Sequence, residues 1–434
     1  MTTRGNPPSY VIFHEFKTLL NRVTSNAVDS TYVELFERKA DILNTIVSIG
    51  ANMAESLDVV VVGAGPGGLA AGRRLAELGK NVVILEAHQE IKAWKPCGEG
   101  VSKETFQTAG VPEKAGIISN ELNMRVYAPS GKYVEIPLQG YAINKDLFLQ
   151  EMAKIAVKAG AEIKVGERVE SVVMEDGKAV GVRTVKGEVI RAKAVIGADG
   201  YNSVVAKTAG IDNETELIPV FQYKMVGVEL DSYKTGHIYV GSVAPGGYAW
   251  IFPKDEEIAN VGIGVRPGAP KVYLDKFIKD RPELFSKAKI IGVGGSAVPI
   301  GGMSREISKN GVLIIGDAAG TVIPFTGAGI HSSIAAGIKA AEVVSEGIER
   351  GDLSKEFLEK GFLEKYDDWV KRINDSLKAM RVFEKLGDDD LNKLAEVLNY
   401  EDIIKLANGI EIKSVAKKLL KHPVLAAKVA KALL

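Results

Sequence analysis

A glycine-rich loop set between an apolar strand and a helix constrains the fold of this chain more than any other feature. Residues 58–62 form a short run rich in valine, which predicts a strand buried on both faces. Residues 69–78 carry apolar side chains at helical spacing. The connecting residues 63–68 read GAGPGG, which matches the glycine pattern of a dinucleotide-binding βαβ unit.

Each glycine of this loop, and the acid that comes after it, has a separate physical role. Gly63 permits a tight turn, Gly65 lets the backbone approach a pyrophosphate, and Gly68 lets helix and strand pack closely. The free N–H groups at the start of the helix then face the pyrophosphate. Glu86 ends the next apolar run about twenty residues later, where a carboxylate accepts hydrogen bonds from an adenosine ribose. Because Glu86 would repel a 2′-phosphate, the pattern predicts an adenine dinucleotide other than NADP.

Composition limits the class of protein and its partners. The 434 residues suffice for two or three domains, and 55 basic residues balance 55 acidic ones, so nothing indicates a nucleic acid as partner. Cys97 is the only cysteine, which excludes an intrachain disulfide and favours a reducing compartment. No apolar run reaches the ~20 residues of a membrane span. No histidine cluster or cysteine pair predicts a metal site.

The rest of the chain divides by pattern. Residues 1–52 differ in character from the remainder, and because such a glycine loop usually lies close to the amino terminus, we hypothesise that Met53 is the biological start. Residues 145–160 predict an amphipathic helix, residues 216–298 alternate as antiparallel strands do, and the chain beyond residue 329 reads as helical. We therefore expect an α/β (α+β composite) fold, with a Rossmann-like domain, an antiparallel-sheet domain and a helical C-terminal region.

Two further motifs come after predicted strands downstream. Residues 197–200, GADG, could by themselves form a simple turn. Asp317 stands at the carboxyl end of a strand, where a doubly wound sheet places its ligands, and it can accept hydrogen bonds from the hydroxyls of a ribityl chain. Residues 324–329, PFTGAG, start a helix whose backbone N–H groups can stabilise negative charge on a flavin ring.

Together the three motifs resemble the flavoproteins related to p-hydroxybenzoate hydroxylase, in which FAD lies between a glycine-rich loop, a central Asp-Gly motif and a late Gly-Asp motif. The resemblance covers about residues 56–345 and implies FAD as cofactor. Lys207 and Lys145 stand where arginine is common in that group, which leaves the docking of a nicotinamide open. The cofactor-binding residues implied by the resemblance are Gly63, Gly65, Gly67, Gly68, Glu86, Lys145, Asp199, Gly316, Asp317, Gly327, Ala328, Gly329 and Ile330.

A later motif narrows the resemblance. Residues 245–253, PGGYAWIFP, match position by position the P-x-x-Y-x-W-x-F-P signature of the geranylgeranyl reductase family. Residues 95–102, KPCGEGVS, resemble the cysteine-containing loop of its archaeal members, the digeranylgeranylglycerophospholipid reductases. The resemblance implies an FAD-dependent reductase that saturates isoprenoid C=C bonds of archaeal-type membrane phospholipids by hydride transfer from flavin N5.

The aromatic residues of this motif agree with that interpretation by their spacing. Tyr248, Trp250 and Phe252 alternate, so on a strand they share one face and form an aromatic wall. Such a wall suits a long apolar chain and can stabilise positive charge at a tertiary carbon by cation–π attraction. The alternative is that the stripe is simply core. The predicted substrate-binding residues are Tyr248, Trp250, Phe252 and Pro253.

Two residues of the cysteine-containing loop are the catalytic candidates. The loop's glycines and charges predict exposure of Cys97, although a lone cysteine is ordinarily a buried structural thiol. The family places the loop beside the flavin, so Cys97 and Gly98 are also expected to contact the cofactor. A thiol with an ordinary pKa of ~8.5 is mostly protonated at neutral pH and can supply a proton, and Glu99 is a competing source. His331 has either a structural or a flavin-related role.

The partners are an isoprenoid lipid and an electron donor, for which NAD(P)H and a ferredoxin-like carrier both stay open. The C-terminal tail interleaves lysines with apolar residues, which predicts either a solvated helix face or contact with an anionic membrane surface. The expected localisation is cytoplasmic, and peripheral contact at the inner face of the cell membrane stays open. The tail lysines are Lys413, Lys417, Lys418, Lys421, Lys428 and Lys431.

We expect the FAD-binding domain to be discontinuous, and two other functional classes to compete with the reductase. An aromatic monooxygenase shares the scaffold but should not need the aromatic signature. A non-catalytic flavin-bound lipid carrier needs the pocket but no route for electrons. The predicted domains are an N-terminal extension at 1–52, the FAD-binding domain at 53–120, 140–210 and 290–345, the substrate domain at 121–139 and 211–289, and the helical region at 346–434.

Overall fold

The computed structural model describes residues 57–419 together with residues 422, 426 and 428, except for the side chains of residues 138 and 139. The extension at 1–52 and the hypothesis about Met53 lie outside these residues. The strands, in chain order, are β1 (Leu57–Val62), β2 (Val82–Glu86), β3 (Gly100–Ser102), β4 (Ile118–Tyr127), β5 (Tyr133–Ile143), β6 (Glu162–Val165), β7 (Val169–Glu175), β8 (Lys178–Thr184), β9 (Val189–Gly197), β10 (Leu217–Val226), β11 (Thr235–Tyr239), β12 (Tyr248–Pro253), β13 (Ile258–Gly264), β14 (Lys289–Pro299), β15 (Ser308–Lys309) and β16 (Val312–Ile314).

Helices cover the first sheet and form the C-terminal region. A short 3₁₀ turn over Gly316–Ala319 comes after β16. The helices, in chain order, are α1 (Pro66–Glu77), α2 (Lys103–Ala109), α3 (Lys145–Ala159), α4 (Val204–Ala209), α5 (Pro270–Lys279), α6 (Pro282–Phe285), α7 (Ile330–Arg350), α8 (Lys355–Lys365), α9 (Asp367–Phe383), α10 (Asp388–Val397), α11 (Tyr400–Asn408) and α12 (Ile412–Leu419).

The first sheet is the Rossmann-like layer. Its strands have the order β15-β16-β9-β1-β2-β6, and the pairs from β16 to β6 are parallel. β8 and β7 continue from β9 as an antiparallel hairpin. The valines of β1 are buried, and α1 packs directly against α7. The predicted buried strand and its parallel sheet are therefore confirmed, and the carboxyl ends of β1, β9 and β16 meet at one edge.

The second sheet has the order β14-β10-β13-β12-β11-β4-β5-β3, and its pairs are antiparallel except for the parallel pair β11–β4. The predicted antiparallel pattern at 216–298 is confirmed in outline. It is interrupted by α5 and α6, which the sequence pattern did not predict. Leu274 and Phe277 of α5 are buried against the face of the sheet that bears Ile251 and Val261. The ten-residue helix α5, which lies between β13 and β14 in the chain, thus covers this face of the sheet with its apolar side.

The predicted domain boundaries do not coincide with the two sheets at several points. β14 lies within residues assigned to the FAD-binding domain, yet it pairs with β10 in the second sheet. The end of β5 and the short β3 belong to the second sheet as well. The chain crosses between layers repeatedly, so these boundaries depend on pairings between distant strands that a local pattern does not reveal.

The C-terminal helices have a small core of their own and adjoin the second sheet. Val240 and Phe325 are packed against this core. The prediction that the chain beyond residue 329 is helical is confirmed for the described residues, as a series of separate helices. In that part of the chain no helix combines the length and the hydropathy needed to cross a bilayer. The buried core residues are Ala379, Leu391, Leu394, Leu398, Leu406, Val415 and Leu419.

Candidate active site

A cavity of about 1450 Å³ is lined by the loops of the first sheet, by the second sheet and by the C-terminal helices. Its volume exceeds the roughly 300–1,000 Å³ of an ordinary small-molecule pocket. One end is lined by the glycine-rich loop and the other by aliphatic side chains. The cavity therefore has room for a nucleotide cofactor and a long apolar ligand together.

The glycine-rich loop has the geometry that its sequence predicts. Gly63 has a φ of +99°, in the left-handed region that favours glycine. A Cβ built on Gly65 would meet no heavy atom within 4 Å, whereas one on Gly68 would lie 1.9 Å from the carbonyl oxygen of Gly63. Gly65 lines the cavity and Gly68 does not. Gly68 thus acts through the packing of helix on strand, and the N-cap residue of α1, Gly65, has no side chain with which to cap the helix.

Glu86 is held at the edge of the cavity. Its Oε2 accepts a hydrogen bond from the Ala64 N–H (3.0 Å), and its Oε1 accepts one from the His88 N–H (2.9 Å). The Nδ1 atom of His88 lies 2.6 Å from the same Oε1. The His88 ring stacks on Trp94, with centroids 4.5 Å apart. These contacts fix the carboxylate beside the glycine-rich loop.

The late motif brings a second helix N-terminus to the same cavity. Gly327 (φ +65°) and Gly329 precede α7, and the N-cap residue Gly329 has no side chain with which to cap this helix. Asp317 lines the cavity, and its Oδ2 accepts a hydrogen bond from Lys95 Nζ at 2.6 Å. Lys95 thereby ties the cysteine-containing loop to the end of β16. The residues of this motif that line the cavity are Gly316, Asp317, Gly327, Ala328, Gly329 and Ile330.

Asp199 of the central motif has a structural task in addition to lining the cavity. Its carboxylate accepts hydrogen bonds from Ser203 Oγ (2.6 Å) and from the N–H groups of Val204 (2.7 Å) and Val205 (3.0 Å). Burial raises the pKa of Asp199, and these hydrogen bonds oppose that shift. The Asp199 side chain therefore holds the start of α4 rather than standing free for a ligand.

Glu99 lies in a network that also includes Lys254 and Asn260. Its Oε2 accepts hydrogen bonds from Lys254 Nζ (2.7 Å) and Asn260 Nδ2 (2.9 Å), and its Oε1 accepts one from the Lys145 N–H (3.1 Å). Burial lowers the pKa of Lys254, and the charge of Glu99 opposes that shift. Because both oxygens of Glu99 serve as acceptors, its expected role as a competing proton source gives way to a structural one.

Cys97 remains beside the cavity, in the loop that this network holds. Its Sγ accepts a hydrogen bond from the Glu99 N–H at 3.3 Å, and the thiol is partly exposed. Asn260 Nδ2 also donates to the carbonyl oxygens of Cys97 (3.4 Å) and Gly98 (3.3 Å). The predicted exposure of the loop is thus only partial, since its polar backbone is anchored from β13.

The aromatic residues of β12 line the cavity as the alternation predicts. The rings of Tyr248 and Trp250 contact edge to face, with centroids 5.8 Å apart, and Trp250 Nε1 donates to Gln222 Oε1 (3.2 Å). A Cβ on Gly98 would lie 2.7 Å from the ring of Phe252, so the loop packs directly on this wall. Pro253 is buried and does not line the cavity, which removes the expected substrate contact at that position.

The C-terminal helices supply an apolar lining that the sequence pattern did not assign to the site. Helices α10 and α11 contribute aliphatic side chains opposite those of the second sheet. Their amphipathic periodicity indicated that each helix has a buried face but not what that face covers. The aliphatic lining comprises Leu122, Met124, Val126, Val134, Ile136 and Ile238 of the sheet, Val240 directly after β11, Leu391, Leu394, Ile403, Ile404 and Leu406 of the helices, and Leu398 directly after α10.

His331 lies near the start of α7 and lines the cavity. Its Nε2 is 2.9 Å from Thr108 Oγ1, and its ring contacts Trp369 edge to face at 4.9 Å. Burial, and next the charge of Arg372, lower the pKa of His331. The imidazole is therefore disposed to be neutral, and its contacts join α2, α7 and α9.

Two sets of side chains bear on the remaining predictions. In the described part of the chain, no group of three or more His, Cys, Asp or Glu side chains is placed to hold a metal ion.

Lys418 Nζ lies 2.7 Å from Asp402 and Lys428 Nζ lies 2.8 Å from Asp390. Two of the tail lysines are therefore engaged within the protein, while Lys421 and Lys431 lie outside the described residues.

Comparison with known proteins identifies the family. Residues 217–298 match the family model of the geranylgeranyl reductase catalytic domain, and residues 58–235 match that of the lycopene cyclase protein. The digeranylgeranylglycerophospholipid reductase 2 of Methanopyrus kandleri is 38% identical over 84% of this chain and 96% of its own length. Among solved structures, a geranylgeranyl bacteriochlorophyll reductase-like protein of Thermoplasma acidophilum aligns with a TM-score of 0.79 at 31% identity, over 87% of this chain and 99% of its own.

A more distant structure agrees on the fold. A flavin-dependent brominase, whose structure was solved as a triple mutant, aligns with a TM-score of 0.70 at 18% identity, over 84% of this chain and 99% of its own. At that identity the likeness extends to the architecture alone. The relative from Methanopyrus kandleri, by contrast, shares both extensive identity and nearly full length with this chain. The chain belongs to the digeranylgeranylglycerophospholipid reductase family.

Proposed function

We propose that this protein reduces the trisubstituted C=C bonds of geranylgeranyl chains carried by archaeal-type membrane phospholipids, with FAD as its cofactor. The observation that carries the proposal is the continuity of one cavity. It runs from two uncapped helix N-termini, past the aromatic wall of β12, to an aliphatic lining between the second sheet and the C-terminal helices. The names of the family model and of the relatives support the same substrate class.

The residues at the glycine-rich end fit FAD. The open space beside Gly65 and the uncapped start of α1 suit a pyrophosphate, and Glu86 suits the adenosine ribose. Asp317 would hold the ribityl chain, and the start of α7 would face the flavin ring. When bound and reduced, FAD supplies a hydride from N5. Asp199 supports this end indirectly, because its carboxylate already binds the start of α4.

The protein itself excludes water and stabilises charge at the apolar end. An isolated alkene is unactivated, so protonation of it develops carbocation character at the tertiary carbon. The faces of Tyr248, Trp250 and Phe252 would stabilise that charge by cation–π attraction. The aliphatic lining excludes water that would otherwise trap the cation. Reduction by this route therefore needs the aromatic wall to stabilise the charge and the aliphatic lining to exclude water.

Cys97 is the proton source that we propose, with water as the alternative. Its thiol lines the cavity and accepts only a weak hydrogen bond from the Glu99 N–H. Replacement by alanine should lower the rate of lipid reduction at least about tenfold. This is a lower bound, since general acid catalysis typically contributes about 100-fold or more. Replacement by serine serves as the matched control for volume, since it retains a hydroxyl. Full activity of the Cys97→Ala variant would leave water as the donor.

The proposal includes contact of the C-terminal region with an anionic membrane surface and an electron donor that experiment must identify. Lys413 and Lys417 are exposed on α12, whereas Lys418 is paired with Asp402. Contact with the membrane surface would therefore depend on Lys413 and Lys417. Co-sedimentation with anionic liposomes should fall in the Lys413→Gln/Lys417→Gln variant and stay unchanged in neutral liposomes. Anaerobic stopped-flow reduction by NADH, NADPH and reduced ferredoxin would identify the donor.

An anaerobic turnover experiment tests the proposal as a whole. The purified flavoprotein is reduced chemically, mixed with digeranylgeranylglycerophospholipid, and monitored by flavin absorbance and lipid mass. We expect the lipid to gain two hydrogens per double bond as the flavin is reoxidised. Unchanged lipid and unchanged flavin would reject the reductase. A hydroxylated aromatic acid formed in air would instead identify a monooxygenase, and lipid binding without any reduction would identify a carrier.

A further inference from the structure

The helical wall of the cavity contains three ionisable side chains among its apolar ones. These are Arg372 of α9, Asp388 of α10, and Glu384 between them. Glu384 forms ion pairs with Arg266 and Arg381. Asp388 accepts hydrogen bonds from the N–H (2.9 Å) and the hydroxyl (2.6 Å) of Ser242. Both acids are therefore satisfied by neighbours.

Arg372 is the exception in this wall. Among the residues that the structure describes, no carboxylate lies within ion-pair distance of its guanidinium. Asp368 and Glu104 act on it electrostatically without contacting it, and burial lowers its pKa. A half-buried cation in a mainly apolar wall is costly unless an anion approaches it. The cavity thus offers a positive charge that has no ion-pair partner within residues 57–419.

The guanidinium of Arg372 is held in a defined orientation. Its Nε donates to the carbonyl oxygen of Asn408 (3.3 Å), and one Nη donates to Asn408 Oδ1 (3.1 Å). The group lies over the ring of Trp369, 4.2 Å from the centroid. Two of the five N–H donors of an arginine are used in this way, and three remain. A planar fork that is already oriented binds an oxyanion with little further loss of side-chain freedom.

We infer that Arg372 binds the phosphate group of the ligand that fills the cavity. The chemistry is that of a fixed guanidinium with spare donors, which matches a phosphate through paired hydrogen bonds. The surroundings select an amphiphile, because the same helical wall presents Leu394, Leu398 and Ile404. Resting on the proposed function, the ligand is the phospholipid substrate, and Arg372 would recognise its phosphate while the prenyl chains occupy the aliphatic lining.

A nucleotide is the other source of phosphate in this cavity. The cations at its glycine-rich end, Lys145 and Arg168, are better placed for a dinucleotide because they accompany Glu86 and the loop of α1. Arg372 instead lies on α9 and contacts Asn408 at the end of α11, a helix that contributes to the aliphatic part. Capping of α11 through the Asn408 carbonyl is the purely structural alternative, and it would require only the Nε hydrogen bond.

Binding measured without turnover tests the inference. The flavin-loaded protein, oxidised and without donor, is titrated with digeranylgeranylglyceryl phosphate and with phosphate-free digeranylgeranylglycerol in the same detergent. We expect the wild type to bind the phosphorylated lipid about 10- to 100-fold more tightly, the range of a hydrogen bond to a charged group. Arg372→Gln should abolish this difference and leave the affinity for the phosphate-free lipid within about twofold, and Arg372→Lys should retain part of it.

The matched control is Lys371→Gln, which removes an exposed charge from the neighbouring position of the same helix. Equal affinities of the wild type for the two lipids would overturn the inference without any variant. A loss of both affinities in Arg372→Gln would assign the residue to the packing of α11. Weaker binding of NADPH to Arg372→Gln in the same titration, with unchanged lipid binding, would assign the phosphate to the nucleotide and overturn the inference. Since the titration involves no reduction, a failed turnover assay would reject the proposed function and leave this result standing.

Discussion

Replacement of Lys254 by methionine would remove the ion pair that holds the cysteine-containing loop. Lys254 comes directly after the aromatic motif, and its Nζ donates to Glu99 Oε2 and to the carbonyl oxygen of Ile143. Methionine has nearly the same length and no charge, so the substitution leaves the volume filled. The carboxylate of Glu99 would then stay in place with only Asn260 and the Lys145 N–H as donors.

The burial of the Lys254–Glu99 ion pair determines how much free energy of unfolding the substitution should cost. The side chain of Lys254 is 7% exposed and that of Glu99 is 17% exposed. Removal of one partner from a buried pair costs about 3–5 kcal/mol, and the two remaining donors favour the lower end, about 3 kcal/mol. The additional change Glu99→Gln removes the unpaired charge. The double variant should therefore recover at least about half of the lost free energy of unfolding.

Urea unfolding of the flavin-loaded protein, monitored by circular dichroism, measures this free energy. Lys287→Met is the matched control, because Lys287 and Glu229 lie 2.7 Å apart, as Lys254 and Glu99 do, but are 74% and 43% exposed. We expect no measurable change there. A loss below about 1 kcal/mol in Lys254→Met, or a double variant less stable than the single one, would refute the argument that the loop is held by a buried ion pair.

Two further predictions concern pH and the glycine-rich loop. Burial lowers the pKa of His237 to about 4 from 6.5, so the unfolded chain takes up the proton first and stability should fall by about 2 kcal/mol between pH 7 and pH 5. Urea unfolding at both pH values should show a smaller loss in His237→Gln, and an equal loss would contradict this origin. Gly65→Ala should fold normally but bind flavin at least about tenfold more weakly. Gly68→Ala should instead lower the free energy of unfolding, because its Cβ would collide with the carbonyl oxygen of Gly63. Both roles would be contradicted if urea unfolding showed Gly65→Ala to be the less stable variant and flavin titration showed Gly68→Ala to be the weaker binder.

The local motifs could be predicted because their geometry is set within a short stretch of chain. The turn at Gly63, the open side of Gly65 and the packing of Gly68 all depend on one strand, one loop and one helix. The shared face of Tyr248, Trp250 and Phe252 results from the two-residue period of a strand. In the same way, the helical periodicity of the C-terminal region was sufficient to predict its helices.

Other features depended on partners far along the chain. Glu99 looked like a free acid, but it is bound by Lys254, which lies 155 positions away. Asp317 looked like a free acceptor and is engaged by Lys95, 222 positions away. Pro253 belongs to the substrate motif and yet faces away from the cavity. No periodicity in the sequence records such pairings, because they arise only when separate layers pack together.

The sequence by itself determined the dinucleotide-binding unit, the antiparallel character of the second sheet and the alternation of the aromatic wall, since each depends on local periodicity and turn chemistry. Only the tertiary structure decided that the C-terminal helices cover the aliphatic part of the cavity and that Arg372 lines this cavity with no carboxylate of the described residues in ion-pair contact. The physical reason is that burial and ion pairing belong to the packed layers as a whole. A helix can therefore be predicted from its own residues, but what its apolar face encloses cannot.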